Sequence, residues 1–92
     1  MNYPDYLKIG AHDYHLVLAP YWEGSDDGDL GQTFYEKQQI YLKSGMPHSL
    51  TFATLIHEVL HVINPQLDHV LLESLAEQIS QVLLDNGLVD EE

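Results

Sequence analysis

Apolar residues come in short bursts up to Lys43 and in long helical runs from Phe52 onward. Tyr6 to Gly10 and Asp13 to Ala19 are brief segments bounded by Gly10 and Pro20. In the second, Tyr14, Leu16 and Leu18 alternate with His15 and Val17, the period of a half-buried strand. The Gly10-Ala11-His12-Asp13 link predicts a hairpin. Pro20 to Leu30 holds Trp22, Gly24, Ser25, Asp26, Asp27 and Gly28, a loop composition. Gln32 to Glu36 and Gln39 to Lys43 read as two more short strands around polar Glu36-Lys37-Gln38. Ser44-Gly45-Met46-Pro47 then breaks the sheet.

Beyond that break the period changes. A helix over about Ser49 to Ile63 carries Phe52, Ile56, Val59, Leu60, Val62 and Ile63. It is apolar nearly all round, the mark of a buried helix, and Asn64-Pro65 stops it. A second helix runs from about Asp68, a good N-cap, to Asn86-Gly87, a good C-terminal signal. Leu71, Leu72, Leu75, Ala76, Ile79, Val82 and Leu83 form its apolar stripe. Strands at about 6–43 come first and helices last. The pattern predicts one α+β domain over residues 1–92: a small antiparallel sheet of about three or four short strands with two helices packed on it. No repeat, low-complexity segment or second domain is visible.

Ninety-two residues build only a modest core, and chains of this size often lean on a metal, a disulfide or a partner. With no cysteine, disulfides are excluded. No apolar run reaches the roughly 18 to 20 residues that span a bilayer. The N-terminus shows neither a basic n-region nor an apolar h-region. The expectation is a soluble cytoplasmic protein without membrane contact. Charge narrows the partners: 15 acidic residues face 3 basic ones, for a net charge of −12. Lys8, Lys37 and Lys43 are the only cations apart from histidine, and such a chain repels phosphate backbones. Direct nucleic-acid binding is therefore not expected. The charge reads either as solubility or as a surface for a basic partner. Glu23, Asp26, Asp27 and Asp29 cluster in one loop, and Asp90, Glu91 and Glu92 form the tail. These look like a solvated loop and a frayed end.

One stretch names a chemistry. His57-Glu58-Val59-Leu60-His61 reads HExxH. Residues four apart share one helix face, so two imidazoles can close on one metal ion. Glu58 points about 100° around the helix, toward a metal-associated water rather than the metal. Two ligands and a general base on one turn are the arrangement of a zinc hydrolase. A catalytic zinc site normally has a third protein ligand, and His69, Glu73 and Glu77 are the candidates. A histidine six residues beyond His61 would suit a metzincin, but Leu67 stands there. His69 lies close behind the Asn64-Pro65 turn and is not the first choice. At about 100° per residue, Glu77 lies roughly 170° from the centre of the apolar stripe and Glu73 about 130°. Glu73, at the flank of the stripe, is placed to reach toward the histidines. Tyr35, Tyr41, His48 and His69 are possible transition-state stabilisers, and Thr54 a possible partner behind the histidines by position alone.

Thr54-Leu55-Ile56-His57-Glu58-Val59-Leu60-His61-Val62-Ile63, followed by Leu72-Glu73-Ser74-Leu75-Ala76, resembles the gluzincin pattern. More closely it resembles small phage and prophage proteins of the minigluzincin and ImmA/IrrE-like type, across roughly residues 30 to 87. The strand at 39–43 before the helix and Leu83-Leu84-Asp85-Asn86 at the end of the second helix are similar too. The resemblance implies zinc held by His57, His61 and Glu73, Glu58 as base, and a protein or peptide substrate. For a phage-encoded protein it implies the bacterial host cytoplasm. The departure is length: little follows the second helix, where larger relatives keep a stabilising histidine or tyrosine.

Three functions follow as expectations. The first is a zinc-dependent metallopeptidase of phage or prophage type that hydrolyses a protein substrate, with the 39–43 strand as the rim that pairs with it. The second is a catalytically weak or inactive zinc-binding domain acting by protein recognition. The third is an acidic decoy or inhibitor of a basic host protein. An intact Glu58 favours the first, small size the second, and clustering of the acids in a loop and tail weighs against the third.

Overall fold

A computed structural model describes residues 3–89. The acidic tail Asp90, Glu91 and Glu92 lies outside the described residues, as do Met1 and Asn2. Four strands, β1 (Tyr6–Ile9), β2 (His12–Ala19), β3 (Gly31–Phe34) and β4 (Gln39–Lys43), precede two helices, α1 (His48–Ile63) and α2 (His69–Asp85). The α+β class, the strand-then-helix order and the β1–β2 hairpin agree with the sequence pattern.

The sheet is mixed rather than wholly antiparallel. Its order is β1-β2-β4-β3, with β1–β2 and β3–β4 antiparallel and β2–β4 parallel. Apolar content explains the order. Ile40 and Leu42 of β4 are fully buried, whereas Gly-Gln-Thr-Phe of β3 has little to bury. The more apolar strand takes the centre, and the loop at 20–30 carries the chain past it to the edge.

Only α1 lies on the sheet, and α2 packs on α1 alone among the described elements. The result is three layers, not two helices side by side. The all-round apolarity of α1 is the cause. One flank, with Leu55, Val59 and Val62, meets Tyr14, Leu16, Ile40 and Leu42 of the sheet. Its other side receives α2 through the row Leu72, Ala76, Ser80 and Leu84, all buried. Small residues at two of these four positions let the helix axes approach closely. The predicted apolar stripe of α2 is therefore split. Leu72 and Ala76 are buried and Leu83 half-buried, while Leu71, Leu75, Ile79 and Val82 stay exposed.

The acidic loop is anchored. Trp22 is buried against Tyr41 on the sheet face away from α1, with ring centroids 5.4 Å apart. Its indole N–H donates to Gln32 Oε1 at 2.8 Å. The backbone N–H of Asp26 donates to Asp29 Oδ2 at 2.9 Å, and the Lys43 ammonium to the Asp27 carbonyl at 3.1 Å.

Candidate metal centre

Close approach of α1 to the edge strand builds the floor of the site. A Cβ on Gly31 would meet Thr54 Cγ2 at 2.8 Å, the Tyr41 carbonyl oxygen at 3.1 Å and Glu58 Cγ at 3.3 Å. Glycine at this position lets the helix seat its glutamate beside the strand. Two residues on, the Thr33 hydroxyl donates to Glu58 Oε1 at 2.7 Å. Glu58 is only 5 % exposed. Burial pushes its carboxyl above the usual range and the Thr33 hydrogen bond pulls it back; Asp29 adds to the rise and His69 opposes it.

Beside Glu58, His57 and His61 stand one turn apart with their Nε2 atoms 3.1 Å from each other. A five-residue turn then reverses the chain. Asn64 Oδ1 accepts from the Gln66 N–H at 3.2 Å, and the Leu67 N–H donates to the Asn64 carbonyl at 3.1 Å. Asp68 caps α2 by accepting from the Leu71 N–H at 3.1 Å. The first residue of α2, His69, thereby lands against the last turns of α1. Its ring centroid lies 5.4 Å from that of His57 and 6.1 Å from that of His61. One nitrogen from each of the three histidines falls within 4.8 Å of the others. Burial holds His57 below the ordinary imidazole range, with His61 and His69 adding to the effect and Glu73 opposing it. His61 is lowered by burial and then by His69. Low pKa values keep these imidazoles neutral near pH 7, with lone pairs available to a cation.

The expected ligand Glu73 is not part of this compact trio. It sits one turn beyond His69 on the same face, its Oε2 3.4 Å from His69 Nε2. His69, set aside on sequence grounds for its nearness to the turn, stands in the trio because of that nearness. Glu77, expected to face solvent, is exposed yet borders the same cleft as Glu73. Among the stabiliser candidates, Tyr35 is at the site. Its hydroxyl donates to the His61 carbonyl at 3.1 Å, and burial and then Glu58 push its pKa up. Tyr41 is not at the site, since it packs on Trp22 and Phe34 across the sheet. His48 meets the Tyr3 hydroxyl at 3.1 Å, about two and a half turns before His57. Thr54 donates to the Leu50 carbonyl at 2.7 Å instead of supporting a histidine.

Two clefts meet at His57, Glu58 and His69. One, of about 440 Å³, opens toward Asp29, Glu73 and Glu77. The other opens toward Thr33, Tyr35 and His61. The first is in the size range of ligand-binding sites. The expected rim strand is also revised: β4 is paired on both sides, and β3 is the sheet edge that borders the second cleft. Thr33 and Gly31 carried no signal in the sequence, because their role depends on how β3 registers against α1.

No protein family, curated protein or solved structure matches the chain. The resemblance to minigluzincins therefore rests on the motif residues alone. No helix among the described residues is long and apolar enough to cross a membrane.

Proposed function

We propose that this protein is a zinc-dependent hydrolase of peptide bonds, with His57, His61 and His69 as metal ligands and Glu58 as general base. The observation that carries the reading is the buried Glu58, fixed by Thr33 beside three clustered imidazoles. The donor set fits the metal: three imidazoles with room left for water are a known catalytic zinc environment. When bound, zinc supplies Lewis acidity toward a carbonyl and toward water.

The chain's own residues supply the rest. Thr33 ties down Oε1 of Glu58, leaving Oε2 to take a proton from the attacking water and pass it to the leaving amine. Burial raises the pKa of Glu58 above the usual carboxylate range, the direction that makes it a stronger base. Glu73 holds the ring of His69 as a carboxylate behind a ligand. Tyr35 is the candidate donor to the developing oxyanion, provided its hydroxyl leaves the His61 carbonyl. An extended substrate segment would add to the edge of β3, where backbone groups are unpaired.

The test combines zinc analysis with a peptide-library cleavage assay on the wild type and Glu58→Gln. Both proteins should hold zinc, and only the wild type should cleave. Absence of zinc from both sinks the reading. Zinc in both with cleavage by neither turns it into a zinc-stabilised recognition domain.

A further inference from the structure

The side of α2 turned away from the metal centre carries a feature the proposed chemistry does not use. Leu71, Leu75, Ile79 and Val82 are 49 %, 37 %, 38 % and 53 % exposed. At about 100° per residue they fall within a sector of roughly 80°, about 150° from the face that bears His69, Glu73 and Glu77. The spacing i, i+4, i+8, i+11 is that of a helix seam, and all four side chains are aliphatic. Ser74, Gln78 and Asp85 edge the row on its polar flank. A contiguous aliphatic row with a polar rim marks an interaction surface rather than scattered surface apolarity.

Charge identifies the kind of partner. After Lys43 the chain has no lysine or arginine. The exposed charges of the α2 region are all acidic; Glu73 and Glu77 lie on the opposite face, while Asp68 at the N-terminal end and Asp85 on the polar flank border the row. A second copy laid antiparallel on this row would set Asp68 of each protomer toward Asp85 of the other, on protomers of charge −12. We infer that the Leu71-Leu75-Ile79-Val82 face docks an amphipathic helix of another protein whose apolar seam is flanked by lysine or arginine. The apolar row provides the contact, Asp68 and Asp85 at its two ends select the flank charge, and the net charge of −12 speeds the encounter.

The inference is independent of the metal centre. Its test uses the full chain and labelled peptides of the length of α2. All share one leucine and isoleucine seam, and their flanks are lysine, glutamine or glutamate. Fluorescence anisotropy should show the lysine-flanked peptide binding at least about tenfold tighter than the glutamine-flanked one, and the glutamate-flanked one not at all. Leu71→Gln with Val82→Gln, at the two most exposed positions, should weaken the lysine-flanked peptide at least about tenfold. Circular dichroism checks that the fold is retained. If the double variant binds that peptide as the wild type does, the attraction is charge alone and the inference fails. It fails too if no peptide binds. A wild-type dimer in sedimentation that the double variant abolishes would also overturn it, assigning the face to a second copy.

Discussion

The two helices contribute to the candidate metal centre on unequal terms. Helix α1 is clamped between sheet and α2, and its Glu58 is 5 % exposed and held at 2.7 Å by Thr33. Helix α2 rests on α1 alone among the described elements. The side chains of His69 and Glu73 are 65 % and 59 % exposed and have each other as an i, i+4 pair at 3.4 Å. One half of the site is thus preset by the core, and the other hangs on a helix with a single neighbour. A metal that joins the halves ties α2 down, so metal affinity and fold stability are coupled.

Ligand removal gives the sharpest test of this contrast. His69→Ala should weaken zinc by more than about 100-fold in a chelator competition, and Glu73→Ala by about 10- to 100-fold. Equal losses, or the reverse order, would make Glu73 the third ligand. Metal removal probes the same contrast from the other side. Zinc at about 100 times its Kd should add about 2.7 kcal/mol of stability. Chelation should therefore deprotect the amides of α2 in hydrogen exchange far more than those of β4. Equal changes in both would show that α2 is as preset as α1.

The α1 half can be disturbed from its floor. Gly31→Ala should cost about 1–3 kcal/mol in urea unfolding, because the new methyl group meets Thr54 and the Tyr41 backbone. A cost within about 0.5 kcal/mol, the usual range for surface changes, would mean that α1 is free to shift. Thr33→Val should cost about 1 kcal/mol and displace the acid limb of the proposed hydrolysis. Glu58 must be ionised to accept a proton. Burial raises its pKa and Thr33 lowers it, so losing the hydroxyl moves the limb to higher pH. An unmoved limb in a pH–rate profile would remove Thr33 from the tuning of the base.

Elements and motif were legible in the sequence because local periodicity encodes them. Strand β4 falls on Gln39–Lys43 and α1 and α2 start and stop within a residue of their signals. The parallel β2–β4 pairing was not legible, since it follows from which strand buries more rather than from any local pattern. His69, a candidate ligand and stabiliser in the sequence, ranks below Glu73 there for a geometric reason. Angle around α2 ranks Glu73 over Glu77, but it says nothing of height along the axis. The tight turn at 64–68 sets that height and brings the first residue of α2 level with the histidines of α1. Thr33 and Gly31 belong to the same class, residues whose importance exists only once two distant segments are aligned.

Trp22, the only tryptophan in the chain, acquires a use from its position. Its indole N–H is bonded to Gln32, the residue between Gly31 and Thr33 on the strand that floors the site. Indole emission responds to the loss or gain of such a bond and to changes of polarity around the ring. Any event that displaces β3, such as a segment adding to its free edge or a shift of Thr33 with Glu58, is passed through one residue to a fluorophore on the opposite face. The protein therefore carries an intrinsic optical reporter of its own cleft, readable by emission spectroscopy without a label.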